Sequence, residues 1–130
     1  MKSAPAAPRP ADRFAEHCAE LLAPLGPVRV RRMFGGHGIY LQELMVALVA
    51  REQLFMKTDE ITDAAWRAAG GAWFTFAHAT RGEVTTHYCA PPEEALESTA
   101  AMQPWARLAL EAALRAANRK PAARKATPKR

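Results

Sequence analysis

A chain of 130 residues that is 49% hydrophobic and 24% charged can bury one compact core and is too short for two. Its net charge is +5, but the excess lies at the ends: residues 119–130 hold six cations and no acid, residues 1–10 add Lys2 and Arg9, and the body between is mildly acidic. Two cysteines are too few for a disulfide-built scaffold, and the longest apolar run, "LMVALVA", falls far short of the roughly 20 residues that a membrane-spanning helix needs.

The opening "MKSAPAAPRPADR" has no apolar stretch of the kind a secretory leader carries, which points to the reducing cytoplasm. Residues 1–11 and 119–130 are rich in Ala and Pro and poor in large apolar side chains. Such a composition cannot offset the entropy of ordering, so both segments are expected to be disordered around a domain at 12–118. Asp12 is placed to cap a helix in which Phe14, Cys18, Leu21, Leu22 and Leu25 recur at spacings of three and four, and Gly26-Pro27 ends it. "VRVRRMF" then alternates apolar and basic residues until Arg31-Arg32, predicting a half-buried strand with an irregularity there. "HGIYL", "LMVALVA" and "QLFMKT" follow, separated by Gln42-Glu43 and Arg51-Glu52, so four strands form a meander.

Thr58 or Asp59 is expected to cap a short helix through Ile61, Ala65 and Trp66 that stops at Gly70-Gly71. "AWFTFAH" and "EVTTHYCA", joined by "ATRG" and closed by Pro91-Pro92, predict a hairpin. Glu93 and Glu94 suit a helix's first turn, and Pro104 suits the start of the long helix "WARLALEAALRAAN". The order predicts an α+β fold, a two-layer sandwich of antiparallel sheet and helices. Trp66, Trp73, Phe74, Phe76 and Trp105 are expected between the layers, with any exposed subset forming a partner patch.

"RRMFGGHGIY" crowds three glycines between apolar runs, but they lead into a strand. A phosphate loop would instead open a helix and carry a Lys-Ser/Thr pair. No Gly-x-Ser-x-Gly elbow occurs either, which leaves the glycines to serve a strand-turn-strand element. With Met33-Phe34-Gly35-Gly36, Gly38 and Tyr40, supported by Leu54, Lys57, Tyr88, Pro91 and Trp105, residues 12–118 resemble the N-terminal domain of the TfoX/Sxy family, bacterial proteins associated with regulation of natural competence. The resemblance implies a two-layer fold similar to type III secretion chaperones, and it supplies no catalytic residues. Family members known as competence regulators carry a second, helical domain, where this chain has its basic tail.

His87 and Cys89 lie two apart on a strand and so face one side, but no CxxC or HxxxH spacing brings them further metal ligands. Cys18 falls on the apolar stripe of the first helix, where a thiol is desolvated and inert. The carboxylates fall on polar helix faces or at caps, so no acid–base pair is expected. Neither an enzymatic activity nor a cofactor is expected.

Arg29, Arg31 and Arg32 form a basic cluster inside the domain, suited to guarding a strand edge or to contacting an acidic partner. The reading is a cytoplasmic regulatory or adaptor domain acting by protein–protein contact, homodimerisation included. Its alternative is non-specific nucleic-acid binding through Arg119, Lys120, Arg124, Lys125, Lys129 and Arg130.

Overall fold

The computed structural model describes residues 10–33 and 35–126. The three- and four-residue spacing of Phe14, Cys18, Leu21 and Leu22 gives helix α1, Pro10–Leu22, one apolar side. A 3₁₀ turn at Ala23–Leu25 and Gly26, at φ 132°, lead into strand β1, Val28–Met33. Strands β2 (Gly36–Leu41), β3 (Leu44–Ala50) and β4 (Gln53–Lys57) then form the meander that the sequence predicts.

Helix α2, Asp63–Ala68, ends near Gly70 at φ 79°. The hairpin of β5 (Trp73–His78) and β6 (Gly82–Cys89) follows, and after a 3₁₀ segment at Glu93–Glu97 comes helix α3, Thr99–Ala126. The sheet is antiparallel throughout, in the order β1-β2-β3-β4-β6-β5, with β6 joining β4 through Met56 opposite Cys89 and Lys57 opposite Tyr88. This is the α+β arrangement expected.

The helices share one side of the sheet. α1 packs on β1 and β2, α3 packs on β3 and β4, and α2 joins them through Trp66, whose ring lies 4.8 Å from that of Trp105. Ile39, Leu41, Leu54, Met56 and Cys89 point into this layer, at alternate strand positions as the pleat requires. No helix among the described residues is long and apolar enough to cross a membrane.

Several local expectations need correction. α1 begins at Pro10, so Asp12 lies in its first turn instead of capping it. β1 pairs with β2 without interruption, and the irregularity falls between Ile39 and Tyr40 on the β2–β3 side. Ile61, expected within the short helix, precedes α2 and is 70% exposed.

Pro104 does not start the last helix. Ser98 does, its Oγ accepting from the Ala101 N–H at 3.0 Å, and the carbonyl left without a partner by Pro104 belongs to exposed Ala100. α3 runs from Thr99 to Ala126 and so includes Arg119, Lys120, Pro121, Arg124 and Lys125. Residues 1–9 and 127–130 lie outside the described residues.

Candidate partner-binding face

Strand alternation gives the sheet two unlike faces. Between the helix-facing residues stand Tyr40, Phe55, Lys57 and Tyr88, and across β1 stand Arg29, Arg31 and Met33. At one end of this second face Met45, Lys57 and Tyr88 share a cavity with Ala113, Ala116 and Ala117 of α3. The face has an apolar centre, where Phe55, only 5% exposed, meets Phe74 with ring centroids 5.0 Å apart. Phe74 and Phe76 therefore belong here and not between the layers as expected. Trp66, Trp73 and Trp105 do fill the interlayer core.

The glycines of "RRMFGGHGIY" shape this face. Gly35, at φ 77°, belongs to the connection between paired Met33 and Gly36. A side chain at Gly36 would run into the Val49 carbonyl, and one at Gly38 would meet the Met33 side chain and the Tyr40 ring. Gly36 borders a concavity of about 140 Å³, lined also by Met33, His37, Met45, Leu48, Val49, Ala50 and Phe74.

Cations surround the apolar centre. The Arg29 and Arg31 guanidinium carbons stand 5.5 and 5.8 Å from the Tyr40 ring centre, the Arg51 carbon 5.5 Å from Phe74, and the Lys57 Nζ 5.1 Å from Tyr88. At strand positions on this face the charged residues are Arg29, Arg31 and Lys57, with no carboxylate between them. Burial, with Tyr40 adding to it, pushes the Tyr88 phenol up to about 12, so it is neutral.

The structure separates the three arginines that the sequence groups. Arg29 donates to Glu43 Oε1 at 2.8 Å in an exposed pair from the adjacent turn. Arg31 has no carboxylate partner among the described residues. Arg32 faces the helix side and donates to Asp12 Oδ2 at 2.8 Å, while His37 Nε2 lies 2.8 Å from Asp12 Oδ1. A carboxylate only accepts, so Nε2 carries the proton of that bond. Buried His37 has no partner for Nδ1 among the described residues, and Asp12, Glu16, Val30, Arg32 and His37 line a cleft of about 380 Å³. The bonds from Arg32 and His37 to Asp12 tie α1 to the β1–β2 hairpin.

Both thiols are buried, and desolvation pushes each up to about 12, which leaves them un-ionised at neutral pH. His87 is exposed while Cys89 is fully buried, so the pair shares a strand side but not a depth. The described residues contain no group of three His, Cys, Asp or Glu placed to hold a metal. Sequence reasoning missed the Asp59–Arg115 pair: Nε donates to Oδ2 at 2.7 Å and Nη2 to Oδ1 at 3.2 Å. No sequence signal links residues so far apart. Of the tail cations, Arg119, Lys120, Arg124 and Lys125 fall on the helical continuation, and Lys129 and Arg130 lie outside the described residues.

The TfoX N-terminal domain family model matches residues 20–113, from late in α1 through most of the packed part of α3. The chain belongs to that family. It is a regulatory domain family associated with competence. A comparison with curated proteins gives no match. The matched span covers the whole sheet, including Gly36 at the concavity and both arginines over Tyr40.

Proposed function

We propose that this chain is a non-enzymatic adaptor of TfoX N-terminal type that works by docking a protein partner, in transcription or competence regulation. The observation carrying the reading is the second sheet face, where a near-buried aromatic pair and a largely apolar concavity stand among cations. A sheet with one covered face can solvate the other when that face is polar, but apolar surface gathered in one place marks an interaction site. Arg29 and Arg31 contribute to it; Arg32 is engaged on the other side.

The test is co-purification from the native host, comparing the full chain with Phe76→Glu, which alters an aromatic that is already 40% exposed. Stoichiometric partners lost in the variant, with unchanged thermal unfolding, support the adaptor reading. Partners retained by the variant move the contact elsewhere.

A second reading concerns the basic end. Arg119, Lys120, Arg124, Lys125, Lys129 and Arg130 occur without an intervening acid, a composition that binds polyanions by counterion release. Both roles are compatible, with the sheet choosing a partner and the tail holding the complex near DNA.

A further inference from the structure

The chemistry of the second sheet face narrows its partner. Along β1, Arg29, Arg31 and Met33 follow one another at every second residue, so two cations and the edge of the apolar concavity lie in one line. Four residues of strand span about 13 Å. An extended partner segment has the same two-residue period, so its alternate side chains fall opposite these.

Resting on the adaptor reading, we propose that this face binds an extended acidic segment of a protein partner. Its alternate carboxylates pair with Arg31 and Arg29, and a bulky aliphatic side chain following them enters the concavity between Met33, Met45, Leu48 and Phe74. The chain already displays the first of these contacts. Glu43 places its carboxylate on Arg29 while that guanidinium stands over Tyr40, and Arg31 presents the same group over the same ring with no carboxylate of the described residues on it.

Charge is complementary along the strands, where Arg29, Arg31 and Lys57 are the face's charges; of the flanking turns, one brings Arg51 with Glu52 and the other brings Glu43, which sits on Arg29 and leaves Arg31 as the cation with no carboxylate of the described residues on it. The concavity, at about 140 Å³, is smaller than the roughly 300–1,000 Å³ of small-molecule sites and fits one side chain. Two of its walls are methionines, whose unbranched thioethers adjust to an entering group. A single-stranded nucleic acid also brings anions, but it needs free ring faces for stacking. Here Tyr40, Phe74 and Tyr88 each have a cation near the ring already. Nor does it carry an aliphatic side chain to fill the concavity.

Fluorescence anisotropy of the full chain tests this with a short labelled peptide that alternates glutamate with threonine and ends in leucine. The comparison probes replace its glutamates by glutamine, replace its leucine by serine, or substitute an oligothymidylate. Saturable binding is expected for the acidic peptide, weakened at least about tenfold by either replacement and by Arg31→Glu in the protein. Arg31 is exposed, so unchanged thermal unfolding shows that the variant folds, and Arg31→Gln serves as a milder version.

Equal affinity for the glutamine peptide, tighter binding of oligothymidylate, or indifference to Arg31→Glu overturns the proposal. So does self-association that Arg31→Glu abolishes, which makes a second copy the occupant. If the peptides fail while Phe76→Glu still loses its native partners, the adaptor reading stands and the acidic chemistry falls.

Discussion

Asp59 is 8% exposed, and Arg115 makes its charge tolerable by reaching from α3 to grip both carboxylate oxygens. Thr62 adds donors from its N–H at 3.0 Å and its hydroxyl at 3.1 Å. The Arg115 hydrogen bond, opposed by burial and helped by Thr62, lowers the Asp59 carboxyl from 3.8 to about 2. A depressed carboxylate contributes stability that is full above its unfolded pKa and is lost as protons bind. Asp59 therefore stabilises the fold at neutral pH, and its contribution fades between about pH 4 and about pH 2. Arg115→Gln is expected to cost about 1–3 kcal/mol at pH 7, by leaving a buried carboxylate under-partnered. It should also flatten stability over that acid window, read by urea unfolding at several pH values. A variant as stable as the parent, with the same acid limb, would remove Asp59–Arg115 from the account. Sequence alone offers Thr58 or Asp59 as the helix cap, whereas Thr62 holds the N-cap position and Asp59 accepts from it in the turn before α2. The larger partner of Asp59 lies 56 residues away, where no local pattern can reveal it.

Two-residue connections hold the central meander together, and neither has the glycine such turns favour. Gln42 and Glu43 sit at φ 52° and 66°, and Arg51 and Glu52 at 54° and 63°, the positive-φ geometry that matches the strands' right-handed twist. Side chains strain there, by roughly 1–2 kcal/mol per residue in the left-handed region. Glu52 is exposed, so Glu52→Gly should raise stability by up to about 1 kcal/mol, seen as a higher urea midpoint at unchanged slope. A lower midpoint would mean that Glu52 makes a contact worth more than its backbone strain. Strands and hairpins were legible in the sequence because alternation and polar breaks are local signals. The insertion of β6 beside β4 was not, because strand order depends on which edges remain to be paired. Nor was the side on which Phe74 and Phe76 fall, since "AWFTFAH" carries aromatics at both parities and the pleat alone does not say which one faces the helices.

The layers are unequal: one sheet, helices on one side, and a basic extension leaving α3. That extension makes a measurable difference to the whole molecule if it meets DNA. Duplex binding by the full chain, compared with a chain ending at Asn118, should depend on the tail and weaken with salt, with a log–log slope no steeper than about −5 for six cations. Equal binding by both chains, or none at physiological salt, removes the nucleic-acid reading and leaves the adaptor reading intact. The family fold was readable from "RRMFGGHGIY" and its supporting residues, whereas the line of cations and concavity on the second face emerges only when β1, β2 and β3 lie side by side. Trp66 and Trp105, 4.8 Å apart and inclined at 47°, have a consequence of another kind. Indoles so close couple their electronic transitions, so the docked pair of α2 and α3 carries its own optical signature. A paired circular-dichroism band that vanishes when the two rings part would report the union of these helices without any added label.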